Sequence, residues 1–187
     1  MRKLKLQMNI TIDGFVAGLK GEVDWMASPT DELQLKLLNE LTESMDTMIM
    51  GRGMVNEFTT YWENIVNNEP NSPEYPYEKI FVDTPKIIFS RTVTSVKGKN
   101  TTVENDDLVQ AINKLKRQSG KDIIVYGGAN FVSNLLRNNL VDELYLFVNP
   151  LAIGEGLRIF HDRVNLSFIN STSYANGIIA NQYQQQP

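Results

Sequence analysis

The chain reads as an α/β sandwich with a mostly parallel sheet and an antiparallel hairpin at its C-terminal edge. Three observations carry this. Short apolar runs and helical patterns alternate as far as Pro150, the order that builds parallel sheets. The apolar run Ile123–Tyr126 stops at Gly127-Gly128 and passes at once into a helical pattern, with Phe131, Val132, Leu135 and Leu136 on one face. The stretch Asn165–Tyr183 alternates around Asn176-Gly177, a strong short-range hairpin signal.

The elements follow in order. Leu4, Leu6, Met8, Ile10 and Ile12 share one parity and predict a first strand, broken at Asp13-Gly14. Asp31–Ser44 places Leu33, Leu37, Leu38 and Leu41 on one helical face, with Thr30 or Ser28 as cap and Pro29 suited to the N-terminal side. Thr47–Met50 is a short strand closed by Gly51-Arg52-Gly53, and Met54–Phe58 a short helix. Pro70, Pro73, Pro76 and several asparagines predict a long surface loop over 62–79. Lys86–Phe89 and Thr101–Val103 are strands, and a helix runs from Asp106 or Asp107 to about Gln118. Glu143–Val148 is a strand ended by Asn149-Pro150, followed by a loop with Gly154 and Gly156. The tail Gln184-Gln185-Gln186 is expected to fray. No linker interrupts the pattern, so one domain over residues 1–187 is expected.

Composition excludes several classes of function. The 187 residues are 42% hydrophobic, enough for a core, and the net charge of −4 without a basic run argues against nucleic acid. No apolar stretch is long enough to span a membrane. The N-terminal segment is too sparsely apolar for a signal peptide, so a cytoplasmic location is expected. There is no cysteine and one histidine, His161, which removes disulfides, the usual zinc sites and cysteine nucleophiles. No metal is expected, and His161, beside Asp162, reads as a surface or interface residue.

The chemistry sits at strand ends. A strand, two glycines and a helix N-terminus direct free N–H groups and partial positive charge at one point, which suits a phosphate; a plain tight turn is the competing reading. The pattern is not G-x-G-x-x-G, so an ordinary Rossmann site is not supported. Three further segments feed the same side of a parallel sheet, where ligands of open α/β folds bind: Thr11–Gly18, Met50–Phe58 and Ile87–Val93. Arg52 and Arg91 carry the planar fork that grips phosphate.

The strand-Gly-Gly-helix, the LVDEL segment before the next strand and the P-x-x-x-G-x-G…F loop, in that order over Ile123–Phe160, resemble the dihydrofolate reductase-like fold. The similarity is strongest to the family that includes the reductase domain of riboflavin biosynthesis. The resemblance implies a three-layer αβα sandwich and an NADPH-dependent reductase passing hydride to a small pterin- or pyrimidine-like heterocycle. It places Val16 and Ala17 against the nicotinamide ring, with Thr11 where serine is usual. It places Gly51, Arg52 and Gly53 at the adenosine phosphates, with Glu57 at an acidic position, and Ser90, Arg91 and Thr92 at the 2′-phosphate. Two arginines without a well-placed acid favour NADP over NAD. Tyr126, Gly127, Gly128, Ala129, Asn130 and Phe131 complete the cofactor set, with a cis peptide between the glycines. Asp13 and Trp25 are the substrate residues it implies. Asp31 is the nearest counterpart of the family's proton-donating carboxylate, although it and Glu32 equally suit a helix N-terminus electrostatically. The zinc deaminase signatures H-x-E and P-C-x-x-C do not occur, so a stand-alone reductase-like domain is expected. The alternative is a nucleotide-binding protein that kept the fold without the reaction. Related domains form twofold dimers. Phe168, Ile169, Tyr174, Ile178, Ile179 and Tyr183 make both parities of the last strands apolar, so a homodimer at least partly through the hairpin and the Leu144–Val148 strand is expected.

Overall fold

A computed structural model describes residues 1–27, 29–69, 71 and 75–186, with side chains left out at 56–58 and 75–77. The strands are β1 (Leu4–Thr11), β2 (Met45–Gly51), β3 (Lys86–Phe89), β4 (Thr101–Glu104), β5 (Asp122–Gly127), β6 (Glu143–Asn149), β7 (Leu166–Ser173) and β8 (Ile179–Gln185). The helices are α1 (Glu32–Glu43), α2 (Val55–Asn68), α3 (Tyr75–Asp83), α4 (Leu108–Arg117) and α5 (Ala129–Arg137). The strands form one sheet in the order β4-β3-β2-β5-β1-β6-β8-β7. All neighbours are parallel except β6–β8 and β8–β7. The architecture is the expected α/β sandwich with an antiparallel C-terminal hairpin.

Strand parity builds the two covered faces. Leu4, Leu6, Met8 and Ile10 of β1 pack with Ile123 and Val125 of β5 under Ala111 and Ile112 of α4 and Val132, Leu135 and Leu136 of α5. On the other face, Leu41 of α1 meets Ile124, Tyr145, Phe147 and Ile178. Val55 of α2 closes a smaller cluster with Met50 and Ile88. Ile12 lies beyond β1 and is 65% exposed, so the parity run ends one residue early.

Several expectations are corrected. The loop predicted over 62–79 is largely helical in its described residues, as α2 and the start of α3. Trp62 of α2 packs against Phe81 of α3 at 5.1 Å between ring centroids, a contact between the two helices that the local proline and asparagine content does not signal. Pro76 is the second residue of α3, where a missing N–H breaks no helical bond. The cap of α1 is Asp31 rather than Thr30; Ser28 lies outside the described residues. The glutamine tail does not fray. Gln184 and Gln185 belong to β8, and the Gln185 amide donates to the Leu136 carbonyl at 2.7 Å. The hairpin turn is at Asn176-Gly177, with Gly177 at φ +82°, a value that suits glycine.

Lys86 opens β3 and is buried, its ammonium donating to the carbonyls of Phe81, Val82 and Thr84 at the end of α3. Burial, against the pull of Glu63 and Asp83, lowers its pKa to about 8. A lysine whose folded pKa lies below its unfolded value binds its proton more weakly when folded. Its stabilising contribution is therefore present at high pH and is lost as pH falls through about 8. Wild-type stability is expected to rise between pH 8 and 9.5 relative to Lys86→Met. The difference is on the order of 1–2 kcal/mol, because each unit is worth about 1.36 kcal/mol. Urea unfolding of both proteins at the two pH values checks this; parallel pH profiles would refute it.

Candidate active site

Three strand ends meet at a bare patch of backbone. Gly128, at φ +82°, opens α5, and a Cβ there would lie 3.3 Å from the Cα of Gly51 at the end of β2. A Cβ on Gly51 would in turn come within 2.8 Å of the Phe131 Cβ. Phe131 stacks on Phe89 at the end of β3, with ring centroids 5.1 Å apart. The residues assigned to the cofactor on β2, β3 and β5 are thus brought together. The Gly127–Gly128 peptide is trans, which corrects the implied cis bond; the chain turns through the positive φ of Gly128 instead.

Helix capping differs among the helices that start at the carboxyl ends of the strands. α1 and α4 are capped by the carboxylates of Asp31 and Asp107. The N-caps of α2 and α5, Met54 and Gly128, make no side-chain bond to their helices. The chain enters α2 through a 3-10 turn, Arg52–Met54, whose N-cap is Gly51 and which has no side-chain cap bond, so the start of this helical run and that of α5 both adjoin the glycine contact. Their first N–H groups, those of Ala129 and Asn130 in α5, and the helix dipoles therefore suit an anion. Arg52 and Arg91 are exposed and make no ion pair among the described residues. Gly53 is also exposed. The Ser90 hydroxyl oxygen accepts from the N–H groups of Thr92 and Val93, each at 3.1 Å, which shapes the loop that presents Arg91. The side chain of Glu57 lies outside the described residues.

The first loop is built as a clamp. Val16 donates its N–H to the Leu157 carbonyl at 2.8 Å, and Leu157 donates to the Ala17 carbonyl at 2.8 Å. Asp13 receives the Thr11 hydroxyl and accepts the N–H groups of Ile153 and Gly154 at 3.1 and 2.8 Å. The Thr11 hydroxyl first, and those two N–H groups, hold the Asp13 carboxyl below its ordinary pKa. Asp13 therefore joins the first loop to the Gly154–Gly156 loop. Asp31 accepts from Leu33 and Gln34 with one oxygen and from Ala175 with the other, at 2.9, 3.3 and 2.9 Å. The Ala175 bond above all keeps Asp31 ionised below its ordinary pKa, and its geometry is that of a cap and a tie to the hairpin turn. Trp25 is half-buried, and its indole Nε1 is enclosed without a hydrogen-bond partner among the described residues. Tyr126 faces the α1 side and packs edge-on against Phe81 at 5.2 Å; burial pushes its pKa up.

Two residues missed by the sequence reading occupy the centre of the sheet. β1 is flanked by β5 and β6, yet Gln7 and Asn9 are only half-buried while every other β1 residue is buried. They point to the α1 face, since Leu6 and Met8 fill the opposite core. The helical layer therefore leaves the sheet open above them. The signal in the sequence was a polar set, Lys5, Gln7, Asn9 and Thr11, alternating with the apolar one. It reads as a solvent face unless the strand is known to be central.

The match to known proteins follows this geometry. A model of the RibD C-terminal domain fits residues 2–180. The chain belongs to the RibD C-terminal domain family. The uncharacterized protein YyaP of Bacillus subtilis (strain 168) is 33% identical over 181 residues, covering 95% of this chain and 92% of YyaP. Two solved structures share the fold of this RibD C-terminal domain family member. One is the diaminohydroxyphosphoribosylaminopyrimidine deaminase/5-amino-6-(5-phosphoribosylamino)uracil reductase of Thermotoga maritima. It has a TM-score of 0.68 at 16% identity, over 99% of this chain and 57% of that one. The other is a dihydrofolate reductase of Enterococcus faecalis complexed with NADP(H). It has a TM-score of 0.63 at 13% identity, over 99% of this chain and 97% of that one. No helix among the described residues is long and apolar enough to cross a membrane.

Proposed function

We propose that the protein is an NADPH-dependent reductase of a small pyrimidine-like heterocycle. The observation that carries this is the meeting of two uncapped helix N-termini at the bare Gly51–Gly128 contact, with Arg52 and Arg91 beside it. That set fits a dinucleotide: open backbone for its pyrophosphate and guanidinium groups for its phosphates. The uracil reductase and NADP(H)-bound dihydrofolate reductase of the same fold support this reading of substrate class and cofactor. When bound, the dihydronicotinamide supplies the hydride. Val16 and Ala17, locked to Leu157, would give its ring a fixed wall, and the Asp13 ties would keep that wall in place. The rival, a nucleotide-binding protein without catalysis, draws on the engagement of both Asp13 and Asp31 as acceptors, which leaves neither placed as an acid.

NADPH is expected to raise the unfolding midpoint more than NADH, because a ligand at 100 times its Kd stabilises by about 2.7 kcal/mol. Arg91→Ala should weaken NADPH by about tenfold and leave NADH within about twofold, the signature of a lost phosphate contact. Equal losses for both cofactors would remove Arg91 from the 2′-phosphate. Turnover of NADPH with a pyrimidine separates the reductase from its rival.

Two copies pair through the C-terminal hairpin. β7 is an edge strand, and a β-bulge between Phe168 and Asn170 leaves Phe168 and Ile169 both exposed, at 64% and 48%; Ile179, paired with Ser173 at the other end of the hairpin, is 41% exposed. Tyr174 and Ile178 do not join this patch, because both are buried against α1, and neither does the Leu144–Val148 strand, which lies inside the sheet between β1 and β8. Sedimentation at micromolar concentration should give twice the 21.2 kDa chain mass, and Phe168→Asp should give the monomer. A wild-type monomer would refute the pairing.

A further inference from the structure

The chain has no cysteine, so its sulfur chemistry falls on seven methionines. Met8, Met45, Met48 and Met50 are shut in the core, at 8% exposure or less. Met1 opens the chain and Met26 lies in the loop before α1, both exposed. Met54 differs from all six. It is half-buried, it packs against the cluster of Met50, Val55 and Ile88, and it closes the 3-10 turn that leads into α2. Its thioether lies on the glycine contact: a Cβ on Gly127 would meet the Met54 Cε at 3.2 Å and its Sδ at 3.4 Å. An oxidisable sulfur, partly open to solvent, thus rests on the bare backbone assigned above to the cofactor phosphates.

In its reduced form that sulfur does not compete with a phosphate. A thioether is apolar and a weak acceptor. It leaves the N–H groups at the start of this helical run, which no side chain caps, to a ligand. Oxidation reverses this. A lone pair on Sδ attacks one oxygen of a peroxide, an S–O bond forms, the O–O bond breaks, and the second oxygen leaves as water. The sulfur loses two electrons and the peroxide gains them. The product is a polar sulfoxide, whose oxygen accepts hydrogen bonds and carries partial negative charge. At Met54 that oxygen takes N–H groups that a phosphate needs, and the positive end of the helix dipole favours it there. We infer that Met54 is a modification site: peroxide oxidises its thioether, and the sulfoxide closes the phosphate cradle to its ligand. The inference rests on the cofactor reading for the identity of that ligand, whereas the oxidation of Met54 can be read without it.

The experiment treats the folded protein with dilute hydrogen peroxide and follows each methionine by peptide mass mapping, alone and with saturating NADPH or inorganic pyrophosphate. Met1, Met26 and Met54 should gain oxygen ahead of the four buried methionines, and either ligand should slow Met54 without slowing Met1. Fluorescence titration should show NADPH affinity falling about tenfold on oxidation, the loss of one hydrogen bond to a charged group. Methionine sulfoxide reductases, one for each epimer, should restore it. Met54→Leu has no sulfur at this place and should bind equally before and after peroxide. Met54→Gln, with a permanent amide oxygen, should bind more weakly than Met54→Leu with no peroxide added. Far-UV circular dichroism accompanies each measurement, and loss of the fold on oxidation would overturn the proposal. So would a Met54 that stays reduced while Met1 oxidises, an oxidised wild type that binds within about twofold of the reduced form, or a Met54→Leu protein as sensitive as wild type. Pyrophosphate binding that oxidation abolishes, in a protein that never binds NADPH, would strike the reductase reading and leave the role of Met54 standing. A reduced protein that binds neither ligand would overturn both.

Discussion

Gly128→Ala should cost about a hundredfold or more in NADPH affinity, some 2.7 kcal/mol, in a protein that still folds. The argument is steric and local. Gly128 adopts φ +82°, which an alanine reaches at a cost of about 1–2 kcal/mol. The added methyl would sit 3.3 and 3.4 Å from the Cα and N of Gly51. Both are backbone atoms of a central strand, so neither can swing aside as a side-chain tip does. The strain relaxes by pushing the start of α5 away from β2, and that shift displaces the N–H groups proposed to hold the cofactor. Fluorescence titration with NADPH measures the loss, and circular dichroism shows the fold. Wild-type affinity in a folded Gly128→Ala protein would show that the cofactor does not lie across this contact.

The largest effect on stability is expected at Phe147. It is 1% exposed at the middle of β6, between Asn9 of β1 and Ala180 of β8, and packs with Leu41, Tyr174 and Ile178. Phe147→Ala removes the whole ring from the junction of the parallel sheet, α1 and the hairpin. Such truncations cost about 3–5 kcal/mol, a large share of the 5–15 kcal/mol typical of a domain. A fall in the urea midpoint with an unchanged slope would show it. A loss below about 1 kcal/mol would mean that the hairpin and α1 collapse onto the gap.

What could be read in advance follows the length of the interactions concerned. The strand at Ile123–Tyr126, the helix carrying Leu135 and Leu136 and the turn at Asn176-Gly177 were legible because periodicity and turn chemistry act within a few residues. α2 and α3 were not. What stabilises them there includes the contact of Trp62 with Phe81, between separate elements, and the local signal was dominated by prolines. The glycine contact was legible as a strand-end motif. The ends of Asp13 and Asp31 were not, because the N–H groups that occupy them come from residues 144 and 141 positions away, Ala175 and Gly154. Gln7 and Asn9 were hidden for a related reason: a polar parity means one thing on an edge strand and another at the centre of a sheet.

The place of β1 in the strand order has a consequence for how the chain comes to be folded. β1 is made first, yet its two neighbours are β5 and β6, and Lys3 and its partner Asp122 are 119 residues apart. During synthesis at about 5–20 residues per second, β1 waits on the order of 6–24 s with both rows of backbone groups unpaired. Its alternating apolar positions are uncovered for the same interval. A lone strand in that state pairs readily with other chains. Lys3 and Lys5, charged residues at its leading end, are the kind of side chain that keeps such an edge soluble until β5 arrives.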